Sequence, residues 1–514
     1  MTGAEALMRA LADCGMTLCF TNPGTTEIHL VAALEQEPRM RAVLGLFEGV
    51  CSGAADGYAR MTGRPAATLL HLGPGLSNAM ANLHNARRAR SPIVNLVGDH
   101  PVAHRLNDPP LASDIATLAA PVSGWVGEAS SAADLPAEGV AALRAALGLP
   151  GQVATLIVPA DCAWGDSQPI QVPAFQPKTA PLSDKALAEA VQMLRSGVPT
   201  GLLLGGRALR EPGLRAAARI AQKSGAMVLA NTFEARFVRG AGVPIVRRLP
   251  YFPERAQKRL AEFGQLIVVG AVSPTAFFAY PQRSVDLLAP GCRVHTLADP
   301  RVDGTAALEA LAEALGAGQA QIATATAQRP ERPTGPLTVE TAGAVIGSLL
   351  PENAIVSDES GTSGEFAYRA TMGAPVHDWL CLTGGSIGQG VPVGTGAALA
   401  CPDRKVLCLQ GDGGAMYTLQ ALWTQAREKL DVTTVIFSNR KYQILQVELN
   451  RLGFTAPGAK TLSTMELGRP DLDWVKLAEG LGVAAARAET TDGFHSLLAM
   501  ALAEPGPHLI EVQL

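Results

Sequence analysis

Asp412 stands among glycines in QGDGGAMY, and Asn439 follows the next apolar stretch, VTTVIFS. VLCLQ (Val406 to Gln410) reads as a strand buried on both faces. Tyr417 to Lys429 is a predicted helix with Leu419, Leu422 and Ala426 on one face, and VTTVIF (Val432 to Phe437) is a second strand. A strand–helix–strand crossover makes the two strands parallel. Asp412 and Asn439 then both sit just past the carboxyl ends of their strands, the edge where open α/β sheets bind ligands. Neighbouring strands lie ~5 Å apart. Two oxygen ligands at that separation can share one hard cation such as Mg2+, which keeps phosphate oxygens as further ligands. Glycines 411, 413 and 414 let backbone N–H groups approach a phosphate at a helix N-terminus. The pattern points to a Mg2+–diphosphate site. A tight turn capped by the same two residues is the alternative reading.

Other stretches place chemistry at strand ends. In LFEGVCSGAADGYARMTG, Glu48 closes an apolar strand and precedes a helix of small residues able to back onto a flat ligand. A carboxylate in dry surroundings has a raised pKa unless paired, which suits it to sharing a proton with a ring nitrogen. A helix N-terminal carboxylate favoured by the dipole is the plainer alternative. His71 ends another strand before a Gly-Pro-Gly loop and is an acid/base candidate. In TNPGTTEIH, Gly24 lies in the turn and Thr25 or Thr26 is expected to cap the helix, with Glu27 in its first turn. GTGAAL is a degraded dinucleotide fingerprint of little weight.

These positions need elements to hold them. The chain has 514 residues, 47% hydrophobic and only 17% charged, which suits about three domains with large α/β cores. Two proline-rich linkers, Gly165 to Asp184 and Gly316 to Thr338, divide it. Each part alternates apolar strands with helical stretches, so the fold class is α/β with three doubly wound, mostly parallel sheets. The net charge of −4 argues for neither nucleic acid nor an anionic membrane as partner. Eight scattered cysteines form no CxxC pair and read as reduced core residues of a cytoplasmic protein. The N-terminus is an amphipathic helix pattern and not a signal peptide, and no apolar run of about 18 residues appears.

Taken in order, NPGTTE, FEGVCSGAADGYAR, LHLGPGLSNAM, GGSIGQGVP and GDG with Asn439 resemble the thiamine-diphosphate-dependent enzymes, in the branch of benzoylformate decarboxylase and the acetolactate synthase large subunits. The resemblance covers nearly the whole chain and implies a pyrimidine-binding domain (1–168), a middle domain (184–316) and a C-terminal diphosphate- and Mg-binding domain (336–514). It implies thiamine diphosphate and Mg2+ (or Ca2+) as cofactors; FAD is an option but not expected. Asp412, Asn439 and the carbonyl of Lys441 would hold the metal. Gly413 and Gly414 would lie against the diphosphate, Ile387 would wedge under the bent cofactor, and the carbonyl of Gly385 would accept from its 4′-amino group. Gly24, Thr362 and Tyr442 would complete the cofactor's surroundings. Glu48, from a partner subunit, would hydrogen-bond the pyrimidine, and His71 and Thr25 would handle protons or the substrate carboxylate. The activity implied is decarboxylation or carboligation of a 2-oxo acid or aldehyde through a C2-bound enamine, in a homodimer or homotetramer. Acetolactate synthase proper and, less so, a flavin-bearing oxidoreductase are the alternatives.

The sequence also departs from the pattern. Benzoylformate decarboxylase has a second active-site histidine in its middle domain, where GAVSPTAFFAY offers Phe277 and Phe278. LNDPPLASD lacks the phenylalanine and glutamine of the acetolactate synthases, and NRKYQILQVELNR replaces the segment that carries their specificity tryptophan. Glu448 falls near the substrate pocket by this match, as an acid/base or a solvated helix charge. His29 and His100 are further polar candidates.

Overall fold

The computed structural model describes residues 1–281 and 284–514. Three mostly parallel sheets follow one another. The first contains β1 (Leu18–Asn22), β2 (Arg41–Leu44), β3 (Ala66–Leu70), β4 (Ile93–Asp99), β5 (Trp125–Glu128) and β6 (Val153–Pro159), in the order β2-β1-β3-β4-β6-β5. Its inner strands β3, β4 and β6 are buried along their whole length, which is why they do not alternate apolar with polar. The second segment forms β7 (Thr200–Leu204), β8 (Met227–Ala230), β9 (Phe237–Arg239), β10 (Arg247–Arg248), β11 (Gln265–Val269) and β12 (Arg293–Ala298). The third forms β13 (Ile355–Glu359), β14 (His377–Cys381), β15 (Val406–Gly411), β16 (Val432–Ser438), β17 (Ala484–Ala488) and β18 (His508–Gln513). The sheet orders are β10-β8-β7-β11-β12 and β17-β18-β16-β15-β13-β14-β9.

So β9 leaves its own segment and pairs antiparallel with β14 at the edge of the third sheet. One hydrophobic cluster runs from Leu202 and Ile267 through Phe237 to Trp379 and Leu407, joining the second and third sheets. A smaller cluster sets Val50 against Val391, Ala415 and Trp474 and joins the first to the third. The short or edge strands β5, β9, β10 and β17 carry little apolar signal; β17 is mostly alanine, which has no strand preference.

The helix expected over Tyr417 to Lys429 starts later. A single turn, Asp412–Ala415, follows β15 at once, and the helix proper is Ala421–Glu428. The glycines let the backbone enter a helical turn directly at the strand end, and the chain bends again before the apolar face begins. At the N-terminus, Gly3–Asp13 is helical and closed by a reciprocal Thr2–Glu5 capping box. Residues 165–183 and 317–337 belong to no helix or strand, as befits linkers. All eight cysteines are free. Among the described residues no helix is long and apolar enough to cross a membrane.

Candidate active site

Two clusters of polar groups gather at the carboxyl ends of the first and third sheets. In the first, Glu48 opens the helix Glu48–Thr62 and is only 6% exposed. Its Oε2 accepts a hydrogen bond from Asn78 Nδ2 at 3.0 Å. Gly75 separates Glu48 from His71: a Cβ there would lie 3.1 Å from Glu48 Oε1 and 3.3 Å from His71 Cβ. His71 Nδ1 lies 2.7 Å from Oε2 of Glu27, a carboxylate with no solvent exposure. The acceptor-only carboxylate puts the proton on Nδ1 and turns Nε2 to other work. Leu72, next in the chain, sits at φ 46° in the left-handed region, a strained conformation for a branched residue.

The threonine cap expected at NPGTTE is not made. Thr25–Glu27 forms a 3-10 turn, and Glu27 reaches back to the Gly24 N–H at 2.9 Å. Gly24 is the only residue type that fits, because a Cβ would fall 2.1 Å from His71 Nδ1. Thr25 is exposed beside this group.

The second cluster rests on β15 and β16, which are parallel neighbours, as their pattern requires. Asp412 is 4% exposed; Oδ1 accepts from Gly413 N–H at 2.9 Å and Oδ2 from Arg440 N–H at 2.6 Å. Burial raises the Asp412 pKa, with these N–H groups opposing the rise. Arg440 reaches it from a left-handed backbone, φ 60°. Asn439 Oδ1 accepts from Lys441 N–H at 3.1 Å, and the Lys441 carbonyl accepts from Gln443 N–H at 3.0 Å. Tyr442 lies across Gly413, whose Cβ would meet its ring at 2.3 Å. Thr362 is exposed on the turn Gly361–Ser363, beside the helix Gln443–Arg451. Gly385 and Gly388 adopt φ 76° and 95°, which shapes the loop carrying Ile387. Among the described residues, no three His, Cys, Asp or Glu side chains converge. The set of one carboxylate, one amide oxygen and one backbone carbonyl suits a hard cation that takes its remaining ligands from phosphate. A bound cation would also restore the charge balance that burial denies Asp412.

Helix Leu72–Ala89 joins the clusters through Asn78, Asn82 and Asn85, spaced to share one face. Asn78 holds Glu48, while Asn82 Nδ2 donates to the carbonyls of both Gly49 (2.8 Å) and Gly388 (3.1 Å). Asn85 donates to Ser386 O at 2.7 Å and accepts from its N–H at 3.2 Å, and His84 meets Gly384 O at 3.1 Å. The polar stripe was readable in LSNAMANLHNARRARS. The sequence shows Glu27 only as a first-turn residue and gives Glu359 no role, although Glu359 ends an apolar strand.

Other candidates fall elsewhere. His29 is exposed against Trp164, and His100 packs on His104. Glu448 is not a freely solvated charge: it accepts from the Tyr280 hydroxyl at 3.1 Å and lies 3.4 Å from Arg451 Nε. Phe277 stands over Gly385, 3.1 Å from where its Cβ would be, and packs with Phe233, Tyr251 and Phe278. A cavity of about 360 Å³ lies apart from both clusters, lined by Arg60, Arg90, Arg207, Arg210 and Arg236 among others.

Comparison with known proteins agrees with this geometry. Residues 1–117 match the thiamine pyrophosphate enzyme N-terminal TPP binding domain, and residues 360–512 match its C-terminal TPP binding domain. A Mycobacterium tuberculosis protein that carries the provisional name acetolactate synthase large subunit IlvX is 53% identical over 100% of this chain and 99% of its own. Benzoylformate decarboxylase of Pseudomonas aeruginosa is 32% identical over 97% of this chain and 96% of its own. The solved Rhodococcus jostii RHA1 thiamine diphosphate-dependent 4-hydroxybenzoylformate decarboxylase superposes with a TM-score of 0.87 at 26% identity, covering 100% of this chain and 99% of that one. The chain belongs to the thiamine-diphosphate-dependent enzymes, in the branch that holds acetolactate synthases and benzoylformate decarboxylases.

Proposed function

We propose that this enzyme decarboxylates a 2-oxo acid bearing a bulky apolar or aryl group, releasing an aldehyde or passing the acyl unit to a second carbonyl compound. The observation that carries the reading is that one chain holds both a buried Glu48 beside the Glu27–His71 pair and a buried Asp412 at the strand end next to that of Asn439. Asp412, Asn439 and the Lys441 carbonyl would hold Mg2+, with Gly413 and Gly414 against the diphosphate. Thiamine diphosphate, when bound, supplies the electron sink for loss of CO2. Glu48 shares a proton with a ring nitrogen, and Asn78 fixes the orientation of its carboxylate. His71 moves a proton at Nε2 while Glu27 holds its other face. The aromatic group of Phe277, Phe233 and Tyr251 beside Gly385 favours an aryl substrate over pyruvate, and so favours this reading over acetolactate synthase proper.

The proposal includes a homodimer or homotetramer. Ile28, Leu46, Val102, Leu106 and Trp164 are exposed apolar side chains on the connections that leave the carboxyl ends of the first sheet, beside Glu48 and Thr25. A second copy would cover them.

The test is CO2 release from a panel of aryl and alkyl 2-oxo acids with thiamine diphosphate and Mg2+, beside Glu48→Gln, with products identified. Release from an aryl acid, lost in the variant, is expected. Turnover confined to pyruvate would reverse the substrate assignment. No turnover of any acid despite cofactor binding would remove the 2-oxo-acid reading altogether.

A further inference from the structure

Glu359 closes β13 and is 6% exposed, and no role has been given to it above. Its Oε1 accepts the N–H of Gly388 at 2.6 Å, and its Oε2 accepts those of Gln389 at 2.7 Å and Gly390 at 2.5 Å. Three successive backbone donors thus converge on one carboxylate at the start of the helix Gly390–Ala400. Burying a carboxylate is costly unless its oxygens are satisfied, and these three N–H groups supply that satisfaction. What the three bonds fix is the segment directly after Ile387. The same carboxylate touches the other side of the site: a Cβ on Gly414 would fall 2.4 Å from Glu359 Oε1 and 3.7 Å from Ile387 Cβ. From the opposite side, Asn82, Asn85 and Thr418 hold the carbonyls of Gly388, Ser386 and Gly388 again.

We propose that Glu359 is a positioning residue of the cofactor cradle: by gathering the N–H groups of residues 388–390 it sets Ile387 and the Gly385 carbonyl in place before the cofactor arrives. The proposal rests on the cofactor of the family and not on which acid is turned over. A glutamine of the same size has one acceptor oxygen and turns an NH2 group toward an N–H donor, so the three-bond arrangement cannot survive it.

The experiment compares Glu359→Gln with the unaltered enzyme by calorimetry, using two probes with Mg2+: thiamine diphosphate, and inorganic pyrophosphate, which reports the phosphate end alone. The expected result is thiamine diphosphate binding weakened about 10- to 100-fold, the range for removing a group that orients a ligand-holding one, with pyrophosphate binding within about two-fold. Unchanged thiamine diphosphate affinity would overturn the proposal. Equal loss of both probes would also overturn it, by reducing Glu359 to a general structural role. Hydrogen exchange on the unaltered protein gives a test that needs no variant. Amides 388–390 should be protected without cofactor and change little on binding, whereas those of 412–414 should slow. Fast exchange at 388–390 before binding would show that the loop is not set in advance, against the proposal.

Discussion

The two clusters do their work with different parts of the chain. Around Glu48 the main contacts are side chain to side chain, Asn78 to Glu48 and Glu27 to His71, with one backbone N–H, that of Gly24, on Glu27. Around Asp412 and Glu359 nearly every partner is backbone N–H: Gly413 and Arg440 on one carboxylate, residues 388–390 on the other. On the proposed reading the first cluster moves protons, which requires titratable groups with adjustable partners. On the same reading the second presents a fixed surface to an anion and a metal, for which backbone dipoles are suited. Both lie at the carboxyl ends of parallel strands, and both are followed at once by a strained residue, Leu72 after His71 and Arg440 after Asn439.

That contrast can be broken in order of effect. Glu48→Gln should lower turnover by about 10²- to 10⁴-fold, the span of a lost acid/base group, with thiamine diphosphate affinity changed little; single-turnover CO2 release beside calorimetry would show it. Asp412→Ala should do the reverse, weakening Mg2+-dependent cofactor binding by about 100-fold at the least, because a direct ligand outweighs the groups that orient one. If Glu48→Gln instead abolished binding and Asp412→Ala left it intact, the division of labour would be wrong. Glu27→Gln should cost about 10-fold in kcat with KM nearly unchanged, since it alters how His71 is held and not whether substrate binds; steady-state kinetics would show the split. Phe277→Ala should raise KM for aryl acids by about 5-fold and leave pyruvate untouched, a modest effect as expected of an apolar wall.

The smallest effect concerns stability. Burial pushes the Glu359 carboxyl from an ordinary 4.5 to about 7, against the pull of the three N–H groups. A carboxyl whose folded pKa is raised binds more protons in the folded state than in the unfolded one between those values. Stability without cofactor should therefore fall as pH rises from about 4.5 to about 7. Buried Glu234, also raised to about 7, adds to the same slope. Melting temperatures across that window should decline less steeply in Glu359→Gln; identical slopes would assign the whole effect to Glu234 and Asp412.

Much of this was legible in the sequence. Three parallel sheets followed from the apolar runs, and Asp412 and Asn439 from strand–glycine–helix punctuation. What was hidden had physical causes. The Glu27–His71 pair joins residues 44 apart through tertiary packing alone, so no period announces it. The asparagines of Leu72–Ala89 share a face that the spacing shows, but their partners, the carbonyls of Gly49, Ser386 and Gly388, lie far away in the chain. Strand β9 is three residues long with one buried side chain, too short for any alternation to show.

That short strand has a consequence for how the chain comes to be assembled. Arg239 pairs with His377, so the ribosome delivers β9 long before its partner exists. At about 5–20 residues per second, the roughly 140 intervening residues take about 7–28 s. During that interval the open backbone of β9 has no strand to pair with, and the later strands of the third sheet, down to β18 at Gln513, follow only after β14. Vulnerability to holdase chaperones or to premature pairing with another nascent chain should therefore be concentrated in the time before residue 381 leaves the exit tunnel.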